Sequence, residues 1–227
     1  MAASRLVPVA CGAVALAAAI VALVPSLRPV GWNLTALPRV AEHTEMGKAA
    51  RERDPGFYLV PAGGYDGQFY WGIAVDPIAQ GDVHQAFDTA SYRYGHPLFG
   101  WLAFAASVGQ ARAVPAALLV LGVGSLVAAA VLAAVLGLAR GGSGWEGLAV
   151  GVNPGLVYCS VHSLTEPLSA ALLLGALFAY ARGRLAAAAV CCGLLVLSKE
   201  QFVLVPLALA GWEVVRSRRA RGRAPQR

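Results

Sequence analysis

A short polar segment carries the residues of this chain that are best suited to chemistry. Residues 64–71, with the sequence GYDGQFYW, place one carboxylate among glycines and aromatic rings. A carboxylate held within hydrogen-bond reach of a hydroxyl acts as a general base. Asp66 is therefore the candidate catalytic base. Asp-Gly is also a common turn signal, and a loop aspartate is often bonded only to its own backbone.

Other charged residues lie at the edges of apolar runs. Arg93 and Lys199 are side chains that bind phosphate oxygens, and Glu166 is a carboxylate between two apolar segments, where charge is costly and often functional. Each has a structural alternative. Arg93 suits a membrane-surface anchor, Glu166 before a proline suits a helix start, and Lys199 with Glu200 suits the outer end of a helical hairpin.

The chain gives little indication of a metal site. The histidines, at positions 43, 84, 96 and 162, lack the paired spacing of zinc motifs. A divalent cation bound by the loop acids Asp66 and Asp76 remains open. Asp76 precedes a proline, so it equally suits the end of a short helix. The cysteines all lie in apolar segments and are expected to be small hydrophobic residues in helices.

The composition is that of a membrane protein. Hydrophobic residues make up 58% of the chain and charged residues only 13%, which is outside the range of soluble domains. Lipid offers no hydrogen bonds to the backbone, so each apolar run predicts a helix. The predicted fold class is all-α, a polytopic transmembrane bundle of about six spans that forms a single membrane domain over residues 1–227. The predicted spans are residues 7–25, 114–139, 147–161, 167–181, 185–198 and 202–215.

Two apolar runs have alternative interpretations. Residues 7–25 would also suit a cleaved signal peptide, but no convincing small-x-small cleavage site precedes the polar stretch, so we predict an uncleaved anchor. Residues 97–108 are short enough to be re-entrant or interfacial. If they cross the membrane, the chain has seven spans, and the predicted orientation of either the first loop or the later motifs is reversed.

Basic residues set the predicted orientation. Residues 216–227 contain six arginines and no acid, which predicts a basic cytoplasmic tail beside anionic lipid rather than a nucleic-acid-binding arm. Counting spans back from this tail places both termini in the cytoplasm of a multi-pass cell-membrane protein, with residues 26–96 outside. Asp66, Glu166, Lys199 and Glu200 would then reach the same outer face.

The loop over residues 26–96 is predicted to be folded. It holds eight of the twelve acidic residues and five of the seven tyrosines. A connection of about seventy residues is usually functional or disordered, and its aromatic and apolar content argues against disorder. Residues 69–75 are expected to form a short helix at the membrane interface, where Trp and Tyr are enriched.

Four motifs in order make the chain resemble bacterial integral-membrane glycosyltransferases of the GT-C fold class, near mannosyltransferase-like membrane proteins. The resemblance covers roughly residues 61–212, and its first motif is the most specific. The motifs are YDGQFY at 65–70 with AVDP at 74–77, YRYGHP at 92–97, NPG at 153–155 leading to LTEPL at 164–168, and LSKE at 197–200.

The resemblance implies transfer of a sugar, mannose by likeness only, from a polyprenyl-phosphate donor to an extracytoplasmic acceptor, with Asp66 as base. The sequence has no convincing nucleotide-binding loop, which agrees with a lipid-linked donor. A divalent cation is the one cofactor left open. An arginine is commoner in the family where Lys199 stands, so a bidentate phosphate contact would be lost. The expected substrate-binding residues are Tyr65, Gln68, Tyr70, Arg93, His96, Glu166, Lys199 and Glu200.

Two other classes of function remain open. Members of the resembled family are typically longer, so the chain is expected to be shortened at its C-terminal side. That favours a non-catalytic subunit or one that needs a membrane-protein partner. A transporter component is the third possibility, but it would predict internal repeats and charges at mid-membrane, and the sequence shows neither.

Overall fold

The computed structural model describes the backbone of residues 2–222 and the side chains of residues 6–219. Within these residues the chain is all-helical, as predicted, and its only β-type pairing is an isolated bridge between Ala41 and Val60. The helices are, in chain order, α1 (Ala2–Leu27), α2 (Glu45–Arg53), α3 (Gly67–Val75), α4 (Ala90–Arg93), α5 (Leu98–Ser107), α6 (Val114–Ala139), α7 (Glu146–Gly151), α8 (Pro154–Val161), α9 (Glu166–Ala181), α10 (Leu185–Ser198) and α11 (Leu204–Gly222).

Two of the described helices are long and apolar enough to cross a membrane. The segments are Leu6–Val30, which includes most of α1, and Ala111–Ala139, which includes α6, and each has an 18-residue window with a mean hydropathy of 2.6. The shorter one, with 25 residues, is about 37 Å long, which exceeds the roughly 30 Å hydrocarbon core. The two helices pack together through small residues of α1 that are fully buried, which lets the backbones approach closely. These residues are Cys11, Ala15 and Ala19.

The span predicted over residues 147–161 is two helices in the structure. Helix α7 ends at Gly151, and α8 begins at Pro154. Proline lacks a backbone N–H and disfavours helical conformation in the residue before it. Asn153 accordingly leaves the helical region, and its side-chain oxygen accepts a hydrogen bond from the Leu156 N–H, which starts α8 as an N-cap.

The number of spans shown by length and composition is smaller than six. Helices α8 and α9 are long and apolar enough only when they are taken together, and the bend of 118° between them fits a broken span or a re-entrant loop. Helices α9 and α10 have 16 and 14 residues, so they are about 24 and 21 Å long and fall short of the hydrocarbon core. The described residues thus contain two clear spans, or three with the bent pair.

Helix α5 shows that residues 97–108 do not form a membrane-crossing helix. It has ten residues, about 15 Å, which is half of the hydrocarbon thickness. Val108 and Gly109 both have positive φ and end the helix in the left-handed conformation that is common at helix C-termini. The chain then turns directly into α6.

The segment between α1 and α5 is a folded unit, which we call the cap (residues 31–97). Helix α3 forms its centre, with Trp71 fully buried and Ile73 nearly so. A helix was expected here at the membrane interface, but α3 is instead enclosed by other parts of the protein. It packs on α5 so closely that a Cβ on Gly100 would lie 2.5 Å from the Ile73 side chain.

The helix ends fall into two groups. At one end, the cap end, Ser26 of α1 approaches His162, close to the start of α9 and the end of α10. At the other end, the thiol of Cys11 lies 3.7 Å from the Gly144 carbonyl oxygen, and Tyr180 donates a hydrogen bond to Glu213 of α11. We call this the basic end for its arginines Arg140, Arg182, Arg184 and Arg216.

The basic tail predicted over residues 216–227 is helical as far as the structure describes it. Helix α11 continues to Gly222, so Arg216, Arg218 and Arg219 lie on a helix. The side chain of Arg221 and all of residues 223–227 lie outside the described part of the chain.

Candidate functional site

The cap meets the ends of α9 and α10 around one polar cavity of about 80 Å³. The structure brings seven of the nine predicted catalytic and substrate-binding residues to its wall. These are Asp66, Tyr70, Arg93, His96, Glu166, Lys199 and Glu200. They come from four motifs that are far apart in sequence, so the cavity depends on the tertiary fold.

Asp66 reaches the cavity because of the glycine that follows it. A Cβ on residue 67 would lie 2.6 Å from the carbonyl oxygen of His162 and 3.0 Å from that of Pro38, so only glycine lets α3 begin here. The Asp66 carboxylate makes no capping hydrogen bond. Its side chain is 61% exposed, and Oδ1 lies 3.1 Å from Nη1 of Arg93. Gly67 therefore supplies the backbone shape that the turn requires, and the Asp66 carboxylate remains accessible from the cavity.

Arg93 is a largely enclosed cation rather than a membrane-surface anchor. Its side chain is 18% exposed, and its guanidinium carbon lies 3.8 Å from the centre of the Phe69 ring. It donates two hydrogen bonds to Asp88, at 3.2 and 3.0 Å, and one to Asp66. Burial acts to lower the pKa of Arg93, but the bonds to Asp88 and the two nearby carboxylate charges outweigh it and raise the pKa.

Glu166 and Lys199 form an ion pair between two helix ends. Glu166 is the first residue of α9 and Lys199 follows α10, with Nζ 2.6 Å from Oε1 of Glu166. Below them, the hydroxyls of Ser169 and Ser198 are 2.9 Å apart and join the two helices. The position of Glu166 agrees both with a negative charge that stabilises the start of a helix and with a role in a functional site. Oε2 of Glu166 is buried and has no hydrogen-bond partner among the described residues.

His96 is the other group with an unpartnered buried atom. Its side chain is 9% exposed, and Nδ1 lies 3.2 Å from Oε2 of Glu200. That contact lacks hydrogen-bond geometry, so Nδ1 is left without a partner among the described residues. Burial lowers the pKa of His96, with Arg93 and Lys199 adding to the effect and Glu200 opposing it. The imidazole is therefore neutral at pH 7 and offers one donor and one acceptor.

Tyr70 supplies a hydroxyl that stays protonated. Burial is the main cause that raises its pKa, and the negative charges of Glu166 and Asp66 add to it. The cavity thus combines an exposed carboxylate, two paired cations, a neutral imidazole and a phenol. Buried polar atoms without partners are rare in proteins and costly, so the orphaned atoms of His96 and Glu166 point to a polar ligand or to water.

Tyr65 and Gln68 lie outside the cavity wall. The Tyr65 ring packs edge-on against Tyr158, with centroids 6.0 Å apart. Oε1 of Gln68 lies 3.4 Å from the backbone nitrogen of Ala41, whose N–H it accepts. Both side chains contribute to the shape of the cap.

Two residues around Arg93 escaped the sequence analysis. Asp88 holds the guanidinium by two hydrogen bonds, and Phe69 lies beneath it. An aspartate five residues before an arginine is a weak signal in a polar loop, and Phe69 looked like any apolar residue of a helix. Only the fold of the cap reveals their positions.

Asp76 does not line the cavity, and its carboxylate organises the loop after α3. Oδ1 accepts the N–H groups of Gln80 and Gly81, both at 3.0 Å. Oδ2 accepts the backbone N–H of His84 at 3.2 Å and lies 2.9 Å from its Nδ1. The metal site suggested for Asp66 and Asp76 is thus not brought together. No group of three candidate ligands occurs among the described residues.

Replacing Asp76 by asparagine is expected to lower the free energy of unfolding at pH 7 by about 1–2 kcal/mol, because an amide replaces a charged acceptor. Burial raises the pKa of Asp76, but the hydrogen bonds, led by Gly81, outweigh it and lower the pKa. The wild-type advantage is present above the unfolded pKa of about 3.9 and is lost as the pH falls through the folded pKa. Thermal unfolding in detergent, followed as the pH is lowered from 7 to 2, measures this. The exposed Glu42, changed to Gln, is the control and should show little difference.

Comparison of the chain with protein-family models, with curated proteins and with solved structures gave no match in any of the three. The function is therefore inferred from the residues and their geometry.

Proposed function

We propose that the chain is a membrane glycosyltransferase of the kind it resembles. It would transfer a sugar from a polyprenyl-phosphate donor to an acceptor hydroxyl at the cap end, with Asp66 as the base. The observation that carries the proposal is the convergence of seven residues from separate motifs on one polar cavity. Mannose remains the sugar suggested by likeness.

The chemistry is a displacement at the anomeric carbon. The acceptor oxygen forms a bond to that carbon while Asp66 takes the hydroxyl proton, which requires hydrogen-bond reach. The bond from the anomeric carbon to the donor phosphate oxygen breaks, and its electron pair leaves with the phosphate. Arg93 and Lys199 are the cations that would stabilise the leaving phosphate. The protonated Tyr70 hydroxyl and the neutral imidazole of His96 supply further hydrogen bonds to sugar or phosphate.

The proposal includes six crossings, formed by α1, α6, α7 with α8, α9, α10 and α11. Contacts support counting α7 and α8 as one broken crossing that follows α6. A Cβ on Gly147 of α7 would clash with the carbonyl oxygen of Ala130 in α6. A Cβ on Gly122 of α6 would clash with the carbonyl oxygen of Ser160 in α8. Short helices are tolerated where the bilayer thins or the protein encloses them.

The basic end is proposed to face the cytoplasm, because arginines are enriched in cytoplasmic loops. The cap and its cavity then lie outside the membrane, and both termini are cytoplasmic.

Thiol labelling of intact cells tests this orientation. A cysteine in place of the exposed Asp82, in the cap, should react with a membrane-impermeant maleimide. A cysteine in place of the exposed Ser143, at the basic end, should react only after the cells are lysed. Labelling of the Ser143 position alone in intact cells would show that the orientation is inverted.

The alternative proposal is a membrane subunit without activity of its own. One observation favours it: both cations of the cavity are already paired with carboxylates, Arg93 with Asp88 and Asp66, and Lys199 with Glu166. A donor phosphate would have to displace these contacts. In this alternative the ion pairs of Arg93 hold the cap together, and the pair of Lys199 with Glu166 joins the ends of α9 and α10.

Transfer of radiolabelled sugar in membranes distinguishes the two proposals. Membranes that contain the chain should transfer sugar from at least one of the mannosyl, glucosyl or arabinosyl polyprenyl phosphates. Membranes without it give the background. Transfer at background level from all three donors would support the subunit.

A further inference from the structure

A second cavity lies at the cap end, and its wall shares no residue with the wall of the polar cavity. It is a cleft of about 520 Å³ between the last turns of α1, the segment around Arg39 and α8. We call it the Arg39 cleft. Most of its wall is apolar, with Ala22 and Pro25 from α1 and Val157 and Val161 from α8.

Besides Tyr158, three polar residues line the Arg39 cleft. They are Arg39, Ser26 and His162. The Ser26 hydroxyl is 3.4 Å from Nε2 of His162, and Nδ1 of His162 lies 3.0 Å from the Tyr158 carbonyl oxygen. The imidazole ring stacks on the Tyr158 ring, with centroids 4.1 Å apart. The polar wall is thus held in place by its own contacts.

Arg39 has no carboxylate partner in the part of the chain that the structure describes, unlike the two cations of the polar cavity. None of the ion pairs among the described residues includes it. Its backbone has a φ of +53°, which is uncommon for a residue with a side chain and is found where the surroundings enforce it. Here the Arg39 carbonyl accepts the Tyr65 N–H at 3.1 Å. The fold therefore fixes the backbone of Arg39 beside the cleft, and its side chain lines the cleft without an ion pair among the described residues.

With α1 as a membrane span, the cleft would lie at the level of the lipid headgroups. Ser26 is in the last turn of α1, and Trp32 shortly after it is 58% exposed, as is typical of residues at the membrane interface. The neighbouring surface of α1 is open and apolar, with Ile20 53% and Val21 71% exposed. An acyl chain can therefore enter from the side and run along α8, which is about 12 Å long.

We propose that the Arg39 cleft binds an anionic membrane lipid. Its phosphate contacts Arg39, Ser26 and His162, and its acyl chain lies between α1 and α8. Charge complementarity selects the headgroup, and the apolar wall selects a lipid over a free phosphate. The site does not depend on the proposed transfer reaction and is separate from the polar cavity.

Native mass spectrometry of the purified chain in detergent tests the proposal. Phosphatidylglycerol and phosphatidylcholine with the same acyl chains are titrated separately. The wild-type chain should bind one phosphatidylglycerol about tenfold more tightly than phosphatidylcholine, as expected for charge-assisted hydrogen bonds. Arg39→Gln should remove this preference. The control is Arg112→Gln at the same end of the molecule, where the side chain is 72% exposed, and it should retain the preference.

Two further measurements test whether an acyl chain lies against the apolar wall of the cleft. Ala22→Phe fills the apolar wall and should weaken the binding of both lipids several-fold. Water-soluble glycerol phosphate should not compete with phosphatidylglycerol at millimolar concentration. The proposal is overturned if the wild-type chain does not distinguish the two lipids, if Arg39→Gln behaves as Arg112→Gln does, or if glycerol phosphate competes effectively.

Discussion

Asp66→Asn is expected to lower sugar transfer by about 10²–10⁴-fold while leaving the fold intact, because a general base contributes a factor of that size. The amide has nearly the same shape but takes up no proton. The exposed ion pair that it removes, with Arg93, contributes only about 0–1 kcal/mol to stability. Initial transfer rates in membranes with matched protein abundance measure the effect.

Asp82→Asn is the matched control for this variant. Asp82 is 63% exposed and pairs with Arg53, much as Asp66 is 61% exposed and pairs with Arg93, but it does not line the polar cavity. Its activity should stay within about twofold of wild type if surface ion pairs matter little. Equal loss in both variants would assign the effect to the stability of the cap and would contradict a base role for Asp66.

Gly122→Val is expected to destabilise the chain by about 3 kcal/mol, at the upper end of typical overpacking costs. A Cβ at residue 122 would lie 2.4 Å from the backbone carbonyl oxygen of Ser160. Helix α8 would therefore have to move away from α6, and residues 162–166, which follow it, would move with it. Both thermal stability in detergent and transfer activity should fall.

Gly124→Val is the control on the same helix. No atom lies within 4 Å of a Cβ built at residue 124, so valine has space there. This variant should keep wild-type stability within about 0.5 kcal/mol. If the two valine variants have the same melting temperature, the close contact between α6 and α8 does not hold the fold together.

The long helices are the part of the fold that the sequence predicts best. The run over residues 114–139 has the bounds of α6, because an uninterrupted apolar segment without charge can only be satisfied as a helix in lipid. The break at Asn153 was not predicted because a hydropathy profile averages Pro154 with its apolar neighbours and does not register the missing backbone N–H. The Asn-Pro pair itself carried the signal for a helix boundary.

The position of α3 could not be predicted from its residues. Trp71 and Tyr70 are amphipathic aromatic side chains, which suit a membrane interface and a protein core equally well. The contact with α5 decides where α3 lies, and it depends on glycine at position 100, which has no side chain to keep the helices apart. That contact joins residues about thirty positions apart and leaves no periodic pattern.

The residues of the candidate site were likewise only partly predictable from the sequence. Motif residues such as Asp66, Glu166 and Lys199 were singled out from residue type and from their place beside apolar runs. Their pairing partners depend on tertiary structure, as for Arg93, which lies between Asp88 and Phe69. Local sequence offers no reason to prefer those two neighbours over the other acids and rings of the cap.

Sugar transfer by the purified chain alone, reconstituted in liposomes, tests whether the polar cavity is an active site. Polyprenyl-phosphate sugars are supplied one at a time, with the wild-type chain beside Asp66→Asn. We expect transfer from at least one donor by the wild-type chain and a loss of at least a hundredfold in the variant. Equal rates for the two chains, or no transfer from any donor, would contradict the assignment of the polar cavity as an active site.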